Sequence, residues 1–430
     1  MDLRSDEFVH LPGPNPILTP APPGAWDDRL LESCDILKDL DTYYLYYHAT
    51  SHNTGYQIGV VTAPGPLGPF TRPVAEPLVR LGEPGDWDDL GVACASVLKE
   101  GTDRYLMWYS GRGESCPKWS IGLATADNPL GPWTKHPRNP VLVDFGYVGS
   151  VVRVDGRYVL YTEHPIGSTG EDYGPMARAI AEAPEGTWSP DEREPVLRQG
   201  EWGEWDDGGF SEAKVIHQGG LYHMFYGGAK LQRPRLASRE SIGYAWSEDG
   251  VTFHKHHGNP VAPREGNPGA AAFAEVHTLL EPPFVYLYHT LRYEAELIKE
   301  DLGVQVLAPR RAFALTMPLL QRESLQAGHA TTVDECPALA VGKVSTCTLT
   351  CEAGNAGSET ANLALSVFYS PDGRRYDTVA GETFRMGLKA GETAQASFSF
   401  PCRSAFAKVT LENEGLAGVK DVVLEATLKR

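Results

Sequence analysis

Trp87-Asp88-Asp89 opens a segment that runs on as Gly91-Val92-Ala93-Cys94-Ala95-Ser96-Val97-Leu98, turns, and resumes as Tyr105-Leu106-Met107-Trp108-Tyr109. A third apolar run starts at Ile121-Gly122-Leu123, and Pro132-Trp133 begins a short fourth. Each run is brief, rich in aromatic and β-branched residues, and bounded by Gly, Pro, Asn or Asp, the pattern of strands and tight turns. The same order of signals recurs. Trp26-Asp27-Asp28 and Trp205-Asp206-Asp207 open matching segments, with aromatic second strands at 43–47 and 222–226 and third strands at Ile58-Gly59-Val60 and Ile242-Gly243-Tyr244. A copy without the tripeptide holds Val151-Val152 and then Tyr158-Val159-Leu160-Tyr161, and a fifth holds 276–280 and then 284–289. The repeat is about 60 residues long. Four antiparallel strands at that period predict propeller blades.

Beyond residue 328 the texture changes to plain alternation, at 346–350, 363–368 and 394–400, with a Ser370-Pro371-Asp372-Gly373 turn. About 100 residues of this kind predict a small sandwich. The expectation is therefore an all-β chain: a five-bladed β-propeller over residues 1–325, followed by a C-terminal β-sandwich domain over 326–430. Gly 45 and Pro 33 are together about half as common again as in an average chain, as turn-rich β folds require.

The 430 residues carry 38 Lys+Arg against 56 Asp+Glu, a formal charge of -18. That balance argues against a nucleic-acid partner, which needs concentrated Lys and Arg. No apolar stretch approaches a membrane span, so no membrane partner is expected. The opening 16 residues place acidic residues and prolines where a signal peptide needs a basic head and an apolar middle, and the expected location is cytoplasmic. Seven cysteines, none in C-x-x-C spacing, are expected to be reduced and mostly buried. No Walker loop, H-E-x-x-H or G-x-S-x-G is present.

The innermost strand of each blade lines the propeller axis, and alternate side chains face it. Aligned on the aromatic second strands, Ser33, Cys94, Val148, Glu212 and Glu275 share one level, and Asp35, Ser96, Ser150, Lys214 and His277 the next. A residue repeated in three blades serves the fold, whereas a charge found in one blade does not. By that rule the Trp-Asp-Asp elements are mainly structural, with a functional reading kept for Asp28 because strand starts face the pocket mouth. Glu212, Asp35, Lys214, Glu275 and His277 break the pattern. Burying several charges near one axis is costly without a ligand, water or mutual pairing, a Glu212–Lys214 pair being the bland alternative. Carboxylates around one pocket suit glycosidic bond cleavage, where one must be protonated and another ionised. The expected catalytic residues are Glu212 as acid, with Asp35 or Asp28 as base or nucleophile. The expected carbohydrate-binding residues are His48, Trp108, His164, Lys214, Tyr226, Glu275, His289 and Arg292.

Glu212-Ala213-Lys214-Val215-Ile216, followed by a Gly turn and the aromatic strand at 221–226, resembles the general-acid strand of glycoside hydrolase family 43. The segment from Val276-His277-Thr278 to Tyr288-His289-Thr290-Leu291-Arg292 resembles that family's last blade. The resemblance covers residues 15 to about 320 and extends to the wider group with families 32, 68, 117 and 130. It implies Glu212 as the acid, a pentose or furanose substrate attacked at a chain end or in a small glycoside, and no required cofactor. It also implies a structural Ca2+ or a water at the propeller centre beside His277, the one expected metal contact. The departures are specific. The family's first-blade base column holds Ser33-Cys34 here, with Glu32 before it and Asp35 after it. Its third-blade Asp falls at Val148, with Asp144 the nearest carboxylate. Family 68 uses a Trp-Asp element for its nucleophile, which points at Asp27 or Asp28. The competing readings are a non-catalytic carbohydrate-binding propeller and a glycoside phosphorylase or transglycosylase, for which Lys214, Arg292 and Arg153 are the basic residues at hand.

Overall fold

The computed structural model describes residues 2–5, 7–163, 176–191, 196–230, 239–264, 267–296 and 298–430. These are nearly all strand or turn. The first sheet holds Leu30–Asp39, Thr42–Thr50 and Gln57–Ala63, with a Thr62–Thr71 bridge marking a fourth position. The second holds Gly91–Glu100, Arg104–Arg112, Ser120–Ala126 and Thr134–Lys135. The third holds Tyr147–Val154, Arg157–Glu163, Ala177–Ala181 and Ser189–Pro190. The fourth holds Phe210–Gln218, Leu221–Lys230, Arg239–Ser247 and His254–Lys255. The last group holds Ala270–Glu281, Phe284–Tyr293 and Glu300–Pro309, and its outermost strand is Phe8–Pro12 from the other end of the chain. That strand runs antiparallel to Glu300–Pro309 and closes the ring, a role the sequence left unassigned. A single parallel pairing, Ala213 with Val276, ties the fourth and fifth innermost strands.

The Trp-Asp-Asp elements show why each copy folds alike. Trp26 packs on Tyr47, Trp87 on Tyr109 and Trp205 on Tyr226, at 5.6, 5.7 and 5.8 Å between ring centroids. The facing third-strand residue is Gly in all three; a Cβ on Gly122 would lie 2.7 Å from both Trp87 and Tyr109. The first Asp accepts from second-strand and fourth-strand side chains: Tyr47 and Arg72 to Asp27, Tyr109 and Lys135 to Asp88, Lys255 to Asp206. The second Asp accepts the backbone N–H of a Gly four residues earlier, at 2.7 Å for Asp28, 2.7 Å for Asp89 and 2.9 Å for Asp207. The tripeptide is a staple between the loop and the sheet.

Two further antiparallel sheets follow. One orders Ala314–Leu325, Val419–Lys429, Thr346–Asn355 and Thr393–Pro401; the other orders Leu339–Ala340, Phe406–Asn413, Ala361–Ser370 and Glu382–Leu388. Leu349 and Leu424 from the first and Leu365 and Leu411 from the second share one apolar cluster. The expected boundary at 325 is corrected here. Ala314–Leu325 pairs with Val419–Lys429, so the chain changes sheet between Pro309 and Ala314. Its buried Leu315 and Met317 belong to that cluster, which also takes in Leu45 and Tyr47 of the first propeller sheet. All seven cysteines are free, five of them buried.

Candidate active site

Every innermost strand carries a bulge at the same level. The ladder skips between Ser33 and Asp35, Ala93 and Ala95, Val148 and Ser150, Phe210 and Ala213, and Ala274 and His277. A bulge adds an unpaired residue and re-aims the side chains beside it. Cys94 and Glu275 stand at two of these bulges in left-handed backbone, φ 45° and 47°, a conformation that costs a non-glycine residue about 1–3 kcal/mol. Strain held in place by the surrounding sheet is a common property of functional sites.

Around the axis the bulges bring together one hydrogen-bonded network. Glu32 Oε2 is 2.8 Å from His48 Nε2, and the Tyr56 hydroxyl donates to Glu32 Oε1 at 2.6 Å. The other ring nitrogen of the imidazole, Nδ1, lies 3.1 Å from Cys34 Sγ and 3.4 Å from the Cys94 backbone nitrogen. The Cys94 thiol donates to Glu212 Oε1 at 3.0 Å. Arg292 donates to Glu300 at 2.7 Å and Glu240 at 3.3 Å, and lies 3.5 Å from Glu275.

The electrostatics divide these carboxylates into two kinds. Burial opposes the charge on Glu32, but the His48 and Arg292 charges and the bonds from His48 and Tyr56 overcome it, holding the carboxyl at about 2. Burial and then the charge of Glu163 push Glu212 up to about 8, against the stabilising bond from Cys94. Glu275 is pushed well up by burial, against Arg292. Burial and the charge of Glu32 push Glu300 up to about 7. Near neutral pH the site thus presents an ionised Glu32 and a protonated Glu212, the split that acid–base chemistry requires.

Several expected residues are placed elsewhere. Asp35 is fully buried; its oxygens take both contacts from Lys214 at 2.8 Å and the backbone N–H groups of Ile36 and Val97 at 2.8 Å. Ser96 and Ser150 accept the backbone N–H of Val151 and Val215 in the same way. Asp35 is therefore one link of an inter-blade clamp and has no room to act as base. Asp28 is the staple described above, shared with Asp89 and Asp207. Lys214 is the partner of Asp35 and leaves Glu212 to Cys94. Trp108 packs between Tyr158 and Trp188, Tyr226 between Trp205 and Phe210, and His289 against Phe273 and Gln305. These three are fully buried, with no surface for a sugar ring. His48, Glu275 and Arg292 do join the network. His164 lies outside the described residues.

His277 does not fit a calcium site. It is buried, its Nδ1 has no hydrogen-bond partner, and burial together with Lys214 and His48 depresses its pKa well below normal. Among the described residues no three His, Cys, Asp or Glu gather as a metal set.

Sequence reasoning missed Glu32, Tyr56, Glu163, Glu240 and Glu300. Glu32 carried the right signal, a charge present in one blade only. Strict alternation set it off the axis-facing column, because the bulge beyond Ser33 shifts the count by one.

No protein-family profile matches the chain. The uncharacterized protein Rv1502 of Mycobacterium tuberculosis is 26% identical over 242 residues, 52% of this chain and 75% of that protein. Among solved structures, a glycosyl hydrolase from Bacteroides ovatus superposes with a TM-score of 0.53 at 15% identity, covering 71% of this chain and 94% of its own. A structure from the GH130 family of mannoside phosphorylases, described as containing glycoside hydrolases that target β-1,2 mannosidic linkages in Candida mannan, gives 0.53 at 14% identity, with 71% and 94% covered. The protein BT0996, solved as an RGII complex, gives 0.53 at 16%, with 67% and 90% covered. At such identities the likeness is one of fold, the all-β propeller fold of these carbohydrate-active enzymes.

Proposed function

We propose that this chain is a glycoside hydrolase in which Glu212 is the general acid and Glu32 the base or nucleophile. One observation carries the reading. Two carboxylates from different blades belong to one network, and their surroundings drive their proton affinities in opposite directions. Glu212 would deliver its proton to the leaving oxygen, and Glu32 would activate water or attack the anomeric carbon. Glu163, whose charge raises Glu212, would do the work of the carboxylate missing at Val148. Glu32 also fills the gap that favoured a non-catalytic propeller. The substrate of this reading is a carbohydrate, taken at a chain end or in a small glycoside as the resemblance in the last two blades implies.

Phosphorolysis is the second reading, and the charge pairing speaks against it. A phosphate cradle needs unengaged cations, whereas Lys214 is paired with Asp35, Arg292 with glutamates and Arg153 with Glu100. The test is turnover of nitrophenyl furanosides, pyranosides and natural oligosaccharides, with and without phosphate, by the parent, Glu212→Gln and Glu32→Gln. Phosphate-independent turnover, lost in both variants, is expected. Turnover that survives either substitution would remove that residue from its role, and strict phosphate dependence would replace hydrolysis with transfer.

A further inference from the structure

One and the same turn precedes each of the three Trp-Asp-Asp staples. Before the first, second and fourth sheets it reads Pro22-Pro23-Gly24-Ala25, Glu83-Pro84-Gly85-Asp86 and Glu201-Trp202-Gly203-Glu204. The fourth residue donates its N–H to the carbonyl of the first at 3.2, 2.8 and 2.9 Å, and the glycine holds φ 99°, 98° and 99°. That is the backbone of a type II turn, in which the third position calls for Gly and the second favours Pro. Pro23 and Pro84 meet that preference. Trp202 takes the place of the proline in one copy only and adds nothing to the turn. By the rule applied to the axis-facing columns, a residue found in one blade alone is not there for the fold.

The indole is presented to solvent on a fixed support. Trp202 is 87% exposed, more than any other large apolar side chain among the described residues, and the other eight tryptophans are buried or half-buried. Asp207 holds the Gly203 N–H at 2.9 Å, and Lys230 Nζ donates to the Gly203 and Glu204 carbonyls at 2.5 and 2.9 Å. Lys230 ends the strand that pairs with Phe210–Gln218, the strand of Glu212, and Gly228 faces Phe210 across that ladder. The turn therefore stands at the same end of the same blade as Glu212, on the rim of the pocket mouth.

We propose that Trp202 is a sugar-stacking subsite on the pocket rim, where one unit of an oligosaccharide lies on the indole while the chain end sits at the axis. The proposal rests on the glycosidase reading for the class of ligand and deepens it: the substrate is a chain of several units and not a small glycoside. The surroundings of the indole name the occupant. Glu201, Gly203 and Glu204 are exposed and polar or without a side chain, so no apolar side chain flanks the indole in the turn. A protein partner needs about 800 Å² on each side, far beyond a single indole of about 200 Å². A sugar ring has C–H groups on its face and hydroxyls round its edge. It covers one indole face and leaves its hydroxyls to water.

Binding and turnover are read separately. The full chain, as parent and as Glu212→Gln, is treated with limiting N-bromosuccinimide, and indole oxidation at each tryptophan peptide is followed by mass spectrometry. The probes are arabinan, mannan and fructan tetrasaccharides and their monosaccharides at millimolar concentration. Trp202 should be oxidised first, and one tetrasaccharide should slow it at least about threefold, its monosaccharide far less. Trp202→Pro installs the residue of the other two turns, so its urea midpoint should match or exceed the parent's. Its kcat/KM should fall about fivefold on that tetrasaccharide, mainly through KM, and stay within about twofold on a nitrophenyl monoglycoside. Protection of Trp202 without any turnover would keep the subsite and remove the hydrolase reading. Turnover with Trp202 oxidised equally fast in every sugar, or an unchanged tetrasaccharide kcat/KM in Trp202→Pro, would overturn the subsite alone. Neither protection nor turnover would overturn both. A parent that runs as a dimer on size exclusion, with Trp202→Pro running as a monomer, would give the indole to a second copy of the chain and also overturn the subsite.

Discussion

Glu212 and Glu32 make the pH behaviour of the chain a residue-scale question. An acid must hold its proton, so kcat/KM should fall as pH rises through the value of about 8 set by burial and Glu163. Glu32 stays ionised down to about 2, so no acidic limb from it should appear in the working range. The Cys94 hydrogen bond favours the charged form of Glu212, and its removal has a definite sign. Cys94→Ala should move the alkaline limb of the kcat/KM profile upward, and an unmoved or lowered limb would count against the bond. Linkage gives a second readout. The folded carboxyl binds its proton more tightly than the ordinary 4.5, so the folded chain holds a proton that the unfolded chain releases between about 4.5 and about 8. Stability contributed by that proton is full below 4.5 and is lost as pH rises through the window. Glu212→Gln should therefore unfold at higher denaturant than the parent at pH 8.5, by on the order of a few kcal/mol, with a smaller gain at pH 5. Equal gains at both values would contradict the raised carboxyl.

At the scale of the element, the inter-blade clamp and the tripeptide staple carry the stability. Asp35 holds the neighbouring strand through Val97 and neutralises a buried Lys214. Removing one partner of a buried ion pair costs about 3–5 kcal/mol, because the remaining charge stays unpaired. Asp35→Asn should show that loss in urea unfolding while leaving the alkaline limb of the rate profile in place; a shifted limb with normal stability would return Asp35 to the chemistry. Gly122 sits against the Trp87 and Tyr109 rings, and a Cβ there would meet both at 2.7 Å. Gly122→Ala should cost about 1–3 kcal/mol by overpacking, and the same change at Gly387, which faces open space, should cost less. The strands and their order were legible because period-2 alternation and turn residues are local signals. The bulges were not. Which residue the ladder skips depends on the partner strand, and that one-residue slip hid Glu32 while promoting Asp35.

Across the whole molecule, the C-terminal sheets and the first propeller sheet share one apolar cluster, joined through Phe284, Phe313, Leu315 and Met317. A side-chain bond from Arg374 to Glu294 and one from Lys343 to the His10 carbonyl cross the same junction. A chain stopped at residue 311 should therefore bind hydrophobic dye and lose on the order of 10 °C in Tm, measured by scanning fluorimetry beside the full chain. A truncated chain as stable and dye-free as the parent would show that the two parts fold independently. The repeat of about 60 residues, the all-β class and the placing of Glu212 on an axis-lining strand came from the sequence alone, because each is written in spacing and periodicity along the chain. The ring closure by Phe8–Pro12, the strand Ala314–Leu325 joining the later sheet, and the meeting of Glu32, His48, Cys34, Cys94 and Glu212 were decided by tertiary structure. Those facts depend on contacts between segments up to hundreds of residues apart, where bulge register and burial, and not local preference, choose which side chain meets which.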